Sequence, residues 1–478
     1  MLDIAQQSPY RELAHLMSEY RQRLREGQVV DSQSYDELRA KLDSIKAGAG
    51  DESWSVVWDM VDHYLDDSVK TAHPLYFNQL WAGQSEPALI GGVIELLANT
   101  SMYTFEVAPM ATVVENEMRA VFARQLGMSD WESQVTSGGS NSNFLALLLA
   151  LHKRFPNFKQ TGLQQGEQPR VYVSEDAHYS SDKAVMMAGL GLNSLVKVPV
   201  DQRGAMDVKA LKELIHADQQ SGFTPCLIVA TAGTTVKGAF DPYNELADVA
   251  EQQACWLHID GAWGGAITYA SDASHYLDGS TRADSFSWDA HKMLGVPLMC
   301  SLIFVRQPGA MNQAFNLGDT SYIFHDDNLS HDLGPSSLQC GRRVDMLKMW
   351  LEYLFYGNEG FRNRIDHFLK LSEWAEQRVE KESDLELQSE RWINNICFRS
   401  KPAGLHDEEQ LNTFNKTVRD RLKAAGSTFV NQAYLGDALT IRLVIANKDV
   451  TAADITRFFD LWVTEAQKLE KEWNACKH

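Results

Sequence analysis

The chain has 478 residues, of which 44% are hydrophobic and 23% charged, as in a soluble globular enzyme with two domains or one large domain plus appendages. Its 64 acidic and 44 basic residues give a formal net charge of -20, which argues against nucleic acid and membranes as partners because both are bound by clustered Lys and Arg. The start lacks a secretory signal, and no stretch reaches the ~20 apolar residues of a membrane span. A cytoplasmic protein is therefore predicted.

Six cysteines are scattered along the chain without any CxxC pair. This distribution predicts reduced and mostly buried thiols, with no zinc or other metal site and no disulfide framework.

In chain order, helical periodicity comes first, in "YRELAHLMSEYRQRLREG" and "YDELRAKLDSI". It predicts a helical segment over residues 1–85, with little core of its own. From 86 to 355, apolar strands such as "RVYVSE", "CLIVATAG", "CWLHIDGA" and "SLIFVRQ" alternate with helices such as "DVKALKELIHA". That alternation predicts an α/β domain with a mostly parallel sheet and helices on both faces.

Residues 356–478 have a different pattern, with the long helix "FRNRIDHFLKLSEWAEQRVEKE", the short strands "NNICFRS" and "LTIRLVIA", and a last helix near 452–473. The pattern predicts a small α+β domain.

Several segments of the large domain suggest a binding site. "TSGGSNSN" joins a Gly-rich turn to an apolar helix, where backbone amides and the Ser140 hydroxyl suit an anion such as phosphate. A flexible turn in which Ser or Asn caps the helix is an alternative interpretation of the same residues. In "CLIVATAGTTVKGAFDP" and "CWLHIDGAWGG" buried-type strands end at Thr234, Thr235 and Asp260, at the sheet edge where open α/β folds bind ligands.

Lys292 follows another strand-like stretch, "RADSFSWDAHKMLG". Lys292 lies 32 positions after Asp260, a separation long enough for a helix and a strand, which would return both residues to one sheet edge. A lone lysine is usually a surface charge. Together, however, an anion-binding turn, a carboxylate and a lysine amine are the parts that pyridoxal phosphate requires as anchor, pyridine-nitrogen partner and point of covalent attachment.

With these motifs the chain resembles the group II pyridoxal-phosphate-dependent amino-acid decarboxylases, of fold type I, over nearly its whole length. "SEDAHYS", "ATAGTTVKGAFDP", "HIDGAWGG", "SWDAHKML" and "QCGRRVDMLKMW" occur in family order with family-like spacing. The resemblance implies a large domain with a seven-stranded type of sheet and a homodimer with a shared active site. The helical segment would then pack across the dimer.

The resemblance also implies residue roles. Lys292 would hold the cofactor covalently, Asp260 would keep its pyridine nitrogen protonated, and His178 would stack on the ring. The other cofactor-side positions are Gly139, Ser140, Asn141, Thr235, Ala262, Asp289 and His291.

Two positions depart from the family pattern. Asp289 stands where the family usually has Asn, and a carboxylate beside phosphate is repulsive. His331 stands where the family commonly has a loop tyrosine that protonates the product carbon. Imidazolium can act as a general acid, so His331 is a candidate proton donor, with water or Lys292 as the alternatives.

The substrate is predicted to be a small acidic amino acid, since the chain resembles the branch that decarboxylates glutamate, cysteine sulfinate and aspartate. Gln79, Leu80, Trp81 and Arg442 fall on substrate-side positions, and the Arg442 guanidinium suits a carboxylate or sulfinate. A structural ion pair is the other interpretation of Arg442. The bulky Trp81 would favour aspartate or cysteine sulfinate over glutamate.

Alternative functions remain open from sequence. One is decarboxylation of 2,4-diaminobutyrate or an aromatic amino acid, and another is aminotransfer or decarboxylation coupled to oxidative deamination on the same fold. A silent cofactor-binding scaffold is the remaining alternative, against which the intact Lys292, Asp260 and His178 argue.

Overall fold

A computed structural model describes residues 8–41, 54–318, 320, 322–325 and 331–475. The chain divides into two compact units. The first comprises Met1–Gly83, Leu371–Gln388 and Ile396–His478, and the second comprises Gln84–Lys370 and Ser389–Asn395. The predicted domain limits at 85 and 355 stay a prediction.

The second unit is an α/β fold. Its strands are β2 (Glu132–Thr136), β3 (Pro169–Ser174), β4 (Leu195–Val198), β5 (Thr224–Thr231), β6 (Trp256–Asp260), β7 (Ser285–Asp289) and β8 (Ser301–Val305). Its helices of eight residues or more are α4 (Glu86–Ala98), α5 (Pro109–Gln125), α6 (Gly139–Arg154), α8 (Ser180–Met187), α9 (Val208–Gln220) and α10 (Tyr243–Gln253). Shorter helices are α7 (Phe158–Thr161) and α11 (Ala310–Phe315).

These seven strands form one sheet in the order β2-β8-β7-β6-β5-β3-β4. Strands β3 to β7 pair in parallel, whereas β8 runs antiparallel to both β2 and β7. The predicted mostly parallel sheet of the seven-stranded type is confirmed.

The sheet packs against helix α6, whose sequence "FLALLLALH" supplies an almost continuous apolar surface. Leu145, Leu147, Leu149 and Leu151 of this helix are at most 2% exposed and share a core cluster with Val171, Val229 and Ile303 of the strands. Parallel strands covered on both faces are apolar throughout, which explains why β5 is buried at every position after Thr224. This packing fixes the start of α6 beside the ends of the strands.

The first unit carries a five-stranded sheet. Its strands are β1 (Tyr76–Phe77), β9 (Leu385–Leu387), β10 (Asn395–Ser400), β11 (Phe429–Leu435) and β12 (Ala438–Val444), in the order β1-β11-β12-β10-β9. The helices are α1 (Pro9–Arg23), α2 (Tyr35–Ala40), α3 (Trp54–Asp66), α13 (Glu408–Ala424) and α14 (Ala452–Ala475). A further helix, α12 (Asp345–Lys381), has residues in both units and is interrupted at Gly357, where φ is +59°.

The predicted strands and helices quoted above are found, except that the prediction over residues 1–7 and 42–53 lies outside the described residues. Four of the five described cysteines are buried thiols and Cys340 is exposed, while Cys476 lies outside the described residues. Within the described ranges, no helix is long and apolar enough to cross a membrane and no cluster of metal-type ligands is found.

Candidate active site

The carboxyl ends of β6 and β7 bring the predicted chemistry together in the second unit. Asp260 is the last residue of β6 and pairs in register with Ser287 of β7, and Asp289 ends β7 two residues later. Lys292 follows Asp289 by one tight turn, in which its amide N–H donates to the Asp289 carbonyl. Strand register therefore places two carboxylates and the lysine at the same sheet edge.

Asp260 is a buried carboxylate, 9% exposed, and it is held by directed hydrogen bonds. Asn143 Nδ2 donates to its Oδ2 at 2.7 Å, and the Ala262 backbone N–H donates to its Oδ1 at 3.1 Å. Charge-assisted bonds of this kind stabilise an ionised carboxylate away from water. Asp260 is therefore built to remain an acceptor that faces the site.

The bond to Asn143 fixes a longer chain of hydrogen bonds. Because the Asn143 amide group turns its nitrogen to Asp260, its Oδ1 faces His258 Nε2 at 2.9 Å, and that nitrogen must carry the proton. Burial lowers the pKa of His258, which keeps the imidazole neutral. Its Nδ1 therefore accepts from the Ser285 hydroxyl at 2.8 Å, and Ser285 Oγ accepts from Trp256 Nε1 at 2.8 Å.

Lys292 and Asp289 form an ion pair, with Lys292 Nζ 3.1 Å from Asp289 Oδ2. Burial is the largest influence on Asp289 and raises its pKa, but the charges of Lys292 and His291 together with hydrogen bonds from Ser301 and Lys292 hold that pKa below its ordinary value. Burial lowers the pKa of His291. The result is a buried carboxylate anion directly beside the amine.

The Gly-rich turn lies against the same carboxylate. Gly138 has φ +126°, and a Cβ built on Gly139 would lie 2.9 Å from Asp289 Oδ2 and 3.1 Å from Ala262 Cβ. The turn therefore approaches β6 and β7 as closely as only glycine allows. Ser140 and Asn141 lie in the first turn of α6, where Ser140 is exposed and Asn141 is partly buried. The Asn141 N–H donates to the Gly138 carbonyl.

His178 lies half-buried after β3, and its Nδ1 accepts from the Ser180 N–H at 3.2 Å. Burial lowers its pKa, the Asp260 charge opposes that effect, and Lys292 adds to it. His178 thus interacts electrostatically with both groups as a neutral ring. Thr235 is partly buried, and its carbonyl accepts from Asn395 Nδ2 at 3.2 Å.

The substrate-side candidates all belong to the first unit. Arg442 of β12 is 5% exposed and donates from Nη2 to the Asn78 carbonyl at 2.6 Å. Strand β11 lies between β1 and β12, which brings the segment after β1 near Arg442. Gln79 is exposed, Leu80 and Trp81 are partly buried, and the Trp81 ring lies 6.4 Å from the Tyr76 ring.

His331 is exposed, and its ring centroid lies 5.3 Å from that of Phe105. The next residue, Asp332, accepts the Phe105 N–H at 2.7 Å. These contacts place His331 on a segment anchored to the 105 loop.

Sequence reasoning missed Asn143, His258 and Ser285. The signals were present, since Asn143 is one helical turn after Gly139 and His258 precedes Asp260 by two residues on one strand, so each shares a face with a chosen residue.

The chemistry of the site fits pyridoxal phosphate. It offers an amine in Lys292, a carboxylate in Asp260 that is oriented by hydrogen bonds, a neutral imidazole in His178 and a close-approach glycine turn for a phosphate. Fold and site together define a pyridoxal-phosphate enzyme of fold type I.

Comparison with known proteins gives the family. Residues 37–401 match the pyridoxal-dependent decarboxylase conserved domain. The chain is 34% identical to human cysteine sulfinic acid decarboxylase over 455 residues, covering 93% of this chain and 91% of the human protein. The rat protein of the same name is 33% identical with the same coverage. The chain therefore belongs to the pyridoxal-phosphate-dependent decarboxylase family and is a carboxy-lyase with pyridoxal 5'-phosphate as its cofactor.

Solved structures agree with this assignment. The crystal structure of mouse CSAD superposes with a TM-score of 0.91 at 31% identity, covering 95% of this chain and 97% of that chain. The glutamate decarboxylase domain of a diaminobutyrate-pyruvate transaminase and L-2,4-diaminobutyrate decarboxylase from Vibrio parahaemolyticus gives a TM-score of 0.83 at 23% identity, with 96% of each chain covered. The second likeness shows the shared fold alone.

Proposed function

We propose that the protein decarboxylates a small acidic L-amino acid to the amine and CO2, with cysteine sulfinate or aspartate preferred over glutamate. The observation that carries the proposal is the convergence of Lys292, Asp260 and His178 at one sheet edge. The identity of 34% to human cysteine sulfinic acid decarboxylase supports an acidic substrate.

In this proposal Lys292 holds the cofactor covalently and the turn at Gly139, Ser140 and Asn141 holds its phosphate. Thr235, Ala262 and His291 line the site. The bound cofactor supplies an electron sink for the carbon that loses CO2. The glycine at 139 supports the phosphate assignment, because a Cβ there would lie 2.9 Å from Asp289 Oδ2 and 3.1 Å from Ala262 Cβ, so the backbone itself comes close to the strand ends.

Asp260 and His178 tune that electron sink. A carboxylate fixed by Asn143 at 2.7 Å and by Ala262 at 3.1 Å stabilises a positive charge on a pyridine nitrogen held beside it. The neutral ring of His178 stacks on the cofactor without adding a competing cation, because burial lowers its pKa.

His331 protonates the carbon after CO2 leaves. Its exposed ring lies on a loop anchored at Phe105, and an imidazolium can act as a general acid toward a substrate carbon. Lys292 is the alternative donor within the site. Replacement of His331 by Ala separates the two, since an unchanged turnover and product ratio would assign the proton to Lys292 or water.

Arg442 binds the substrate's side-chain acid. Arg442 is 5% exposed and burial lowers the pKa of its guanidinium, a shift that an incoming carboxylate or sulfinate would oppose. Trp81 limits the length of the side chain that fits, and Gln79 and Leu80 complete this substrate side.

A homodimer is part of the proposal. The second unit exposes large apolar side chains on α4 and on α12, including Ile90 at 49%, Leu354 at 62% and Phe355 at 71%. Helices α4 and α12 meet where Gly91 packs on the Lys348 backbone, so these side chains lie on one surface. A surface of this kind is typical of a buried interface. The cytoplasmic location stays a prediction from sequence.

The test is a CO2-release assay with product analysis on purified, cofactor-loaded protein. Its panel contains cysteine sulfinate, aspartate, glutamate, 2,4-diaminobutyrate and aromatic amino acids. The proposal expects the two shorter acids to give the highest kcat/KM and Arg442→Gln to lower it for them by about a hundredfold, a loss of ~3 kcal/mol.

Arg419→Gln, at a partly buried arginine whose Nε donates to the Val430 carbonyl, is the matched control and should leave substrate preference unchanged. Preference for diaminobutyrate or an aromatic substrate would overturn the acidic pocket. Aldehyde in place of amine would instead assign oxidative deamination. Sedimentation of the native protein as a monomer of full activity would rule out the shared site.

A further inference from the structure

A cavity lies at the amino ends of the parallel strands of the large sheet, opposite the candidate active site. It has a volume of about 380 Å³ and is lined by residues at the amino ends of β5 and β6, by the residues next to β7 and β8, and by the last turns of α6 and α10. Asp260 and Asp289 end their strands at the carboxyl edge, one strand length away. The cavity is therefore separate from the candidate active site.

The charged lining of this cavity is mostly cationic. Four cations and two carboxylates contribute to it, which leaves an excess of two positive charges in a chain of net charge -20. These side chains are Lys153, Arg154, Arg282, Arg306, Glu251 and Asp284. Arg282 also pairs with Asp248, which lies outside the lining, at 2.7 Å, and this pair reduces the local excess to one positive charge.

Both carboxylates are already engaged by two of the cations. Arg282 Nη2 lies 3.1 Å from Glu251 Oε1, and Arg306 Nη2 lies 2.6 Å from Asp284 Oδ1. Within the described residues no ion pair is found for Arg154, whose charge acts on the two thiols in the cavity wall, Cys226 and Cys255. Arg154 therefore faces the cavity with its charge available.

The helix dipole explains why cations lie at this helix end, but it does not explain the cavity beside them. Lys153 and Arg154 occupy the last turn of α6, where cations offset the helix dipole. The helix dipole accounts neither for a cavity beside the Arg154 guanidinium nor for the apolar surface that Ala247, Ala250 and Trp256 contribute to its wall. An apolar surface of this kind suits the organic part of a ligand.

We propose that this cavity binds a small organic phosphate, with Arg154 as the principal phosphate ligand and the alanine and tryptophan surface against the organic group. Guanidinium groups bind phosphate oxygens bidentately, which favours phosphate over a single carboxylate. The volume lies within the range of small-molecule sites, about 300 to 1,000 Å³.

The test is isothermal titration of the cofactor-loaded enzyme with ADP, ribose 5-phosphate and inorganic phosphate, with uncharged adenosine as the ligand control. Saturating the enzyme with cofactor first fills the phosphate position of the active site, and its visible absorption band reports any displacement. The expected result is one binding event per chain for an organic phosphate, none for adenosine, and no loss of the cofactor band.

Arg154→Ala should weaken that binding by about ten- to a hundredfold, as expected for one charged hydrogen-bonding pair. Arg124→Ala is the control, because Arg124 is likewise a last-turn arginine of a helix in the second unit but is exposed and lies outside the cavity. Arg154→Gln replaces the alanine variant if that variant does not fold. Absence of binding by all three phosphates, or equal affinity in the Arg154 variant, would overturn the proposal and leave the decarboxylase assignment untouched.

Discussion

Replacement of His258 by Leu tests the hydrogen-bond chain behind Asp260. His258 is fully buried and bridges Asn143 Oδ1 at 2.9 Å and the Ser285 hydroxyl at 2.8 Å. A leucine of similar size fills the space but leaves a buried carbonyl without its main donor and a buried hydroxyl without its acceptor. Each orphaned group costs about 1–3 kcal/mol. The expected destabilisation is therefore about 2–6 kcal/mol.

The same change should weaken cofactor binding by roughly tenfold, about 1.4 kcal/mol. Without His258, the Asn143 amide is no longer held from its far side, so its 2.7 Å bond to Asp260 becomes less well ordered. Urea unfolding of the cofactor-free protein measures the first effect, and titration of the cofactor's visible band measures the second. His275→Leu, at an exposed histidine bonded to the Asp272 carbonyl, is the control and should change neither.

A double-mutant cycle with Ser285→Ala decides whether loss of the hydrogen bonds through His258 causes the loss of stability. In the wild-type background, Ser285→Ala removes the partner of both His258 Nδ1 and Trp256 Nε1, but in the His258→Leu background only the tryptophan loses one. The two substitutions should therefore couple by about 1–2 kcal/mol. Additive effects, or a His258→Leu protein as stable and as tightly loaded as wild type, would refute the chain's role.

Three further expectations concern other sites. Burial lowers the pKa of His73 to about 4 from an ordinary 6.5, so the unfolded protein takes up a proton at this residue before the folded protein does. The free energy of unfolding should therefore fall by about 3 kcal/mol as pH drops from 6.5 to 4. Urea unfolding across that pH range measures this dependence, which His73→Gln should remove. Asp289→Asn should tighten cofactor binding by about tenfold by removing a buried anion beside the turn at Gly139, and weaker binding in the absorbance titration would place the phosphate elsewhere. Arg342→Met removes the two hydrogen bonds of 2.7 and 2.8 Å to buried Glu115 and leaves it only Arg119, at 3.7 Å. The change should cost about 3 kcal/mol in chemical unfolding, and a variant as stable as wild type would contradict this role of the buried pair.

Sequence patterns predict those residues of the candidate site that directly follow an apolar strand or precede an apolar helix. Asp260 and Lys292 are predicted because a charge next to an apolar strand is costly without a partner, and the turn at Gly139 is predicted because glycines precede an apolar helix. The mostly parallel sheet followed from the strand and helix alternation. The antiparallel direction of β8 was not predicted, since its apolar letters are the same in either direction.

The residues that sequence missed are those whose importance comes from pairing. Asn143 and His258 are ordinary letters within a helix and a strand, and only the packing of α6 against β6 brings them within 2.9 Å. The amino-edge cavity was missed for the same reason. Its charges come from positions 153, 154, 251, 282, 284 and 306, which no local pattern connects.

The hydrogen bonds from Trp256 to Asp260 all point the same way, and that order has a consequence for spectroscopy. If Asp260 took up a proton, it would become a donor, the Asn143 amide would turn over, and His258 would move its proton from Nε2 to Nδ1. The tautomer of a buried imidazole is thus a readout of the charge on a carboxylate that it does not touch. Nitrogen NMR of His258 would follow the ionisation of the active site during cofactor loading, without a probe in the active site itself.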